Sequence, residues 1–106
     1  MICLLSPNDF SVEIVKQNSI LVDIRTKDEF DSGRIATSIN IDYYNPEYIK
    51  EFEKLDRSKT INLYCASGGR SSSAVKDISK LGFENINELN GGIYAWYMQK
   101  LPLVNQ

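Results

Sequence analysis

The chain contains no histidine. That absence removes Cys/His dyads, Ser/His/Asp triads and imidazole metal ligands together, so any chemistry must run without an imidazole base. Cysteine is scarce as well. Cys3 and Cys65 are the only two, too few for a disulfide framework or, without histidine, a zinc site, so no metal and no cofactor is expected. No basic cluster offsets a net charge of -2 and a pI of about 5.1, which argues against nucleic acid or an anionic membrane as a partner. Long hydrophobic runs are missing too. The opening MICLL carries one short apolar run and no basic leader, which reads as neither a signal peptide nor a membrane span. A reducing, cytoplasmic setting is the default expectation, and there a thiol stays available for chemistry.

What is present is an ordinary globular composition: 106 residues, 42% hydrophobic and 25% charged. A chain of this size builds one core and buries roughly 65% of its extended surface, so a single domain over residues 1–106 is expected. Its segments alternate. MICLL reads as a short strand, and SPNDF opens a helix with Ser6 as N-cap, Pro7 in the first turn, and Phe10, Ile14 and Val15 on one face. ILVDI, residues 20–24, is a continuous apolar run typical of a strand covered on both faces. Thr26 and Glu29 stand at capping-box spacing before a brief helix. SINI, residues 38–41, reads as another strand, and Tyr48, Ile49, Phe52 and Leu55 recur at helical spacing.

TINLY, residues 60–64, alternates so that Ile61, Leu63 and Cys65 share a face. Ala74, Val75, Ile78 and Leu81 then mark a helix that Gly82 ends. FENINEL is the last strand candidate. NGG follows it, and Ile93, Trp96, Tyr97 and Lys100 form a final helical stripe. Strands and helices alternating at this rhythm predict an α/β fold, a parallel sheet with helices on both faces. Ligands of such sheets sit beyond the carboxyl ends of the strands, where Cys65 stands.

The segment Cys65-Ala66-Ser67-Gly68-Gly69-Arg70-Ser71 joins a strand end to a helix start. Gly68 and Gly69 permit backbone conformations in which successive N–H groups converge on one point, and the helix N-terminus adds partial positive charge there. Arg70 either adds a full charge or bonds outward and braces the loop. Ser71 either caps the helix or aims its hydroxyl at the bound group. A Cys65 thiolate at the bottom of such a bowl would be the bound anion, ionising below the free-thiol value of about 8.5 and activated without a base. The bland alternative is a buried strand cysteine. That reading is assigned to Cys3, whereas the Gly-Gly-Arg-Ser turn argues against it for Cys65.

At these residues the chain resembles the rhodanese-like sulfurtransferases in their single-domain form. LVDIRTKDEFDSGRI is similar to the family's first signature, INLYCASGGRSSSAVKDISKLGF to its active-site strand, loop and helix, and INELNGGIYAW to its closing Leu-x-Gly-Gly segment. The resemblance implies a central parallel five-stranded sheet flanked by helices. It also implies a reaction, in which Cys65 takes the outer sulfur of thiosulfate or a low-molecular-weight persulfide and holds it as a persulfide. An acceptor (cyanide, a thiol or a protein cysteine) then collects it. Amides from Ala66 through Arg70 would hold the persulfide anion, and Asp23 and Arg25 would stand around the loop, although a structural pairing of Arg25 with Glu29 is preferred.

The family's Gly-His-Ile-Pro-Gly-Ala reads Gly-Arg-Ile-Ala-Thr-Ser here. Arg34 in place of the histidine is expected to serve a structural turn. Tyr94, Trp96 and Tyr97 are expected to pack the last helix, Gly91 and Gly92 to serve their turn alone, and Tyr43 and Tyr44 to lie away from the entrance. With Arg70 as the loop's only cation, a strong preference for a doubly charged donor is not expected. Two other functions compete. A Cys-dependent phosphatase or arsenate reductase would use the same thiolate, but Cys65 and Arg70 bound a six-residue loop. That is one residue shorter than the version the related dual-specificity phosphatases resemble, and no loop carboxylate offers itself as the acid. A non-catalytic binding or regulatory module is the other alternative.

Overall fold

Three facts place the sheet: apolar runs too short for helices, turn residues after each, and helical segments long enough to carry the chain back. The computed structural model describes residues 1–105. Its elements are β1 (Ile2–Leu5), α1 (Pro7–Glu13), β2 (Ser19–Asp23), α2 (Lys27–Ser32), β3 (Ile39–Asn40), α3 (Tyr48–Glu53), β4 (Thr60–Tyr64), α4 (Gly69–Ile78), β5 (Ile86–Leu89) and α5 (Gly92–Met98). A 3₁₀ turn, Ser79–Leu81, extends α4 to Gly82, which takes the left-handed conformation at φ 98°. Every strand pairing is parallel, in the order β1-β5-β4-β2-β3. The expected five-stranded parallel sheet is therefore the observed one.

β4 lies in the middle and is buried from Ile61 to Cys65. Its side chains alternate between two cores. Ile61, Leu63 and Cys65 join Phe52 of α3 and Ala74, Val75 and Ile78 of α4 on one face. Tyr64 joins Phe10 of α1, Leu89 of β5 and Trp96 of α5 on the other. Phe10 meets Trp96 edge-on at 6.4 Å between ring centroids. Burying each such side chain contributes about 2–3 kcal/mol, so these two stripes do most of the work of clamping the helices to the sheet.

The local signals hold where they are chemical. Ser6 accepts from the Asp9 amide, and Thr26 with Glu29 forms a complete capping box. They fail where tertiary cover is missing. Val15 lies past the end of α1 and is 79% exposed, not on its packed face. Tyr94 and Tyr97 project to solvent, and Trp96, with partly buried Ile93 beside it, packs the interior from α5. Cys3 is half-buried beside a groove over β1 and α1, because β1 is an edge strand. Arg34 is structural, as expected. Its backbone pairs with Val104 in both directions at 2.8 Å, and its guanidinium lies over the Phe30 ring. Thr37 adopts φ 70° at the position the family signature gives to glycine. The turn geometry persists under a β-branched residue poorly suited to it. No helix among the described residues is long and apolar enough to cross a membrane.

Candidate active site

Cys65 follows the last residue of the central strand, and α4 begins four residues later. Between them the chain must reverse tightly, and Gly68 does so at φ 117°, a left-handed value that L side chains rarely adopt. The reversal points two amides at sulfur. The Gly68 N–H donates to Cys65 Sγ at 3.1 Å, and the Ser71 N–H, in the first turn of α4, at 3.4 Å. The bowl is narrower than expected: these two amides, and not the full set from Ala66 through Arg70, make hydrogen bonds to the sulfur. Ala66 and Ser67 form its outer wall, and Gly69 opens the helix.

The bowl is also shut. Cys65 is 1% exposed. The loop's far side is pinned by α5. The first amides of a helix have no partner within it, and here the Ile93 N–H donates to the Cys65 carbonyl at 2.9 Å and the Tyr94 N–H to the Ala66 carbonyl at 3.1 Å. So close an approach leaves no room at Gly92. A Cβ there would lie 2.4 Å from the Ala66 oxygen, and the backbone stands at φ 63°. Gly92 thus serves the active loop as well as its own turn, which corrects the sequence reading.

Arg70 bonds outward. Its guanidinium meets the Glu29 carboxylate in two parallel hydrogen bonds of 2.8 and 3.0 Å and lies over the Tyr44 ring at 5.6 Å. The hydrogen bond from Arg70 holds Glu29 far below the usual carboxylate range, at about 2, with the Thr26 amide and hydroxyl adding to the effect. The loop's one cation is therefore already neutralised, and Tyr44, expected to lie away from the loop, stands beside it.

Arg25 does not pair with Glu29. Its Nε and Nη2 donate to Asp23 at 2.7–3.1 Å, its own amide donates to Asp23 Oδ1 at 2.9 Å, and Nη2 also reaches the Gly33 carbonyl at 2.6 Å. Asp23 and Arg25 are buried, and among the described residues neither bonds to residues 65–71. Their pair braces the connection from β2 into α2. Tyr64 adds to that brace: its hydroxyl donates to Ser38 Oγ and accepts from the Ile35 N–H, both at 3.2 Å, and burial pushes its ionisation above the usual tyrosine range.

Ser71 neither caps α4, whose N-cap is Gly68, nor simply faces the sulfur. Its hydroxyl donates to Glu88 Oε2 at 2.6 Å, and the Cys65 thiol donates to Ser71 Oγ at 3.5 Å. Glu88, on β5, is 7% exposed and also accepts from Ser72 Oγ at 3.1 Å. Sequence reasoning found no carboxylate within the loop, which holds, but passed over Glu88 beside it. The available signal was an acid on the inward parity of an apolar strand, level with Ile86.

The sequence signature of the rhodanese-like domain matches residues 6–99. The chain belongs to the rhodanese-like domain family. Its relatives include the chloroplastic thiosulfate sulfurtransferase 16 of Arabidopsis thaliana, 32% identical over 91 residues that cover 76% of each protein. A tRNA uridine(34) hydroxylase of Staphylococcus carnosus is 33% identical over 87% of this chain, which spans only 30% of that protein. The crystal structure of a rhodanese-related protein from Thermoplasma volcanium superposes with a TM-score of 0.86 at 33% identity, covering 98% of this chain and 99% of its own. In this rhodanese-like domain the loop that follows Cys65 has both Arg70 and Ser71 engaged with acids.

Proposed function

We propose that this rhodanese-like domain is a sulfurtransferase in which Cys65 carries sulfur as a persulfide. The observation that carries the reading is the pair of amides, Gly68 and Ser71, aimed at Sγ from the N-terminus of α4. Donors so placed favour negative charge on sulfur without a base. In the first half reaction the Cys65 thiolate attacks the outer sulfur of thiosulfate or of a small persulfide. A new S–S bond forms, the donor's S–S bond breaks, and sulfite or thiolate leaves with the electron pair. In the second, an acceptor thiol, protein cysteine or cyanide attacks the terminal sulfur and Cys65 departs as thiolate. Ala66, Ser67, Gly68, Gly69, Arg70 and Ser71 form the loop that opens to admit the donor and closes over the persulfide. Arg70 braces that loop through Glu29 instead of binding the donor, which supports a persulfide donor over dianionic thiosulfate.

A reducing compartment such as the cytoplasm suits two free thiols. The test is intact mass after incubation with thiosulfate and with glutathione persulfide. The expected result is a gain of one sulfur, removed by cyanide and absent in Cys65→Ser. No gain with either donor, alongside hydrolysis of p-nitrophenyl phosphate, would replace this reading with a phosphatase; silence in both assays would leave a binding module.

A further inference from the structure

The Ser71 hydroxyl has one proton to give and three neighbours. Glu88 Oε2 lies at 2.6 Å, the Gly68 carbonyl at 3.2 Å and Cys65 Sγ at 3.5 Å. The shortest, charge-assisted bond takes the proton. The Ser71 hydroxyl then faces sulfur with its lone pairs, as an acceptor from the thiol S–H, and has no proton left for a thiolate, so of Ser71 only the backbone N–H donates there. Behind it stands a buried carboxylate whose side-chain partners are two hydroxyls and which, among the described residues, makes no ion pair. Both effects act against negative charge on Cys65, opposing the two amides.

We propose that Glu88 is a positioning residue that, through Ser71, holds resting Cys65 as a hydrogen-bonded thiol and so restrains its reactivity. The inference rests on Cys65 being the nucleophile and adds a control the loop sequence does not contain. Ionisation of the thiol then calls for Ser71 to turn its proton from Glu88 to sulfur, a rotation about one bond. Between turnovers the restrained thiol resists adventitious oxidation.

The other charges nearby do not cancel this one. Arg70, at the start of α4, is held by Glu29 of α2. Farther along α4, Lys76 is exposed and Asp77 receives the Tyr48 hydroxyl of α3. The strand neighbours of Glu88 are Leu4 of β1 and Leu63 of β4, both uncharged, and Cys3 sits at the adjacent register position of β1, on the other face.

The experiment is iodoacetamide alkylation of Cys65 across pH, read by peptide mass so that Cys3 is counted separately. Glu88→Gln removes the like charge and leaves only a neutral, weaker acceptor for the Ser71 proton, so the midpoint should fall by roughly one pH unit, with alkylation about tenfold faster below it. In a Ser71→Ala background the same substitution should move the midpoint by less, because the hydroxyl that transmits the effect is gone. An unmoved midpoint overturns the proposal. So does acceleration by one factor at every pH, which would report a loosened loop alone, or an equal shift in both backgrounds. If Glu88→Gln fails to fold, Glu88→Asp retracts the carboxylate by one methylene and should lower the midpoint in the same direction by a smaller amount. A shifted midpoint in a protein that never loads sulfur would support this control while removing the sulfurtransferase reading.

Discussion

Asp23 and Glu88 stand near the carboxyl ends of β2 and β5, the two strands that flank β4, and both are buried. Their partners differ. Asp23 receives the Arg25 guanidinium and the Arg25 amide, a charge answered completely by charge and backbone. Glu88 receives two serine hydroxyls, one of which also touches the Cys65 sulfur. The first acid is structural: it can do nothing else without stranding a buried arginine. The second can change its bonding at the cost of one hydroxyl rotation. Proximity to the site therefore says less about an acid's role than the identity of what answers its charge.

The sharpest way to break this comparison is Asp23→Ala. It leaves Arg25 buried without a counter-charge and should cost about 3–5 kcal/mol of stability by urea denaturation. The pH midpoint of Cys65 alkylation should stay where it is, and movement of that midpoint would erase the distinction between the two acids. Gly92→Ala comes next. A methyl group directed at the Ala66 carbonyl from a left-handed backbone should cost about 2–3 kcal/mol and slow sulfur loading of Cys65 as the loop shifts. Wild-type stability and loading together would mean the α5 clamp is dispensable.

Arg70→Ala tests the third acid, Glu29. Its ionisation is depressed from 4.5 to about 2, so it contributes stability above pH 4.5 that is lost as pH falls through about 2. In Arg70→Ala much of that dependence should vanish. The change at neutral pH should be only about 1 kcal/mol, because the pair is partly solvated. Denaturation curves at neutral and acid pH measure both. The smallest effect is expected far from either acid: Thr37→Gly should relieve the positive φ and gain about 0.5 kcal/mol, less than the strain removed, because glycine also loosens the unfolded chain. A loss of stability there would show that the Thr37 side chain has a use its backbone does not reveal.

Much of this architecture could be read along the chain because its signals are local. Ser6 and Thr26 announce their helices by bonding amides three residues on. The alternation of Ile61, Leu63 and Cys65 places sulfur on a particular face of β4, and the Gly-Gly-Arg-Ser segment marks the turn that aims amides at it. These features involve neighbours within one or two turns of chain, so the order of residues alone specifies them.

Pairing across the fold obeys a different constraint. Arg70 meets Glu29 across 41 residues, and Ser71 meets Glu88 across 17. Gly92 presses on a loop carried by another strand. Which strand lies beside which, and therefore which acid answers which cation, depends on how two faces of a sheet are covered at once. Cys65 and its turn were inscribed in sequence. The company it keeps (a spent arginine, a diverted serine and a glutamate answered by hydroxyls) was settled only by packing, because burial makes charges choose the partners that the sheet order brings within reach.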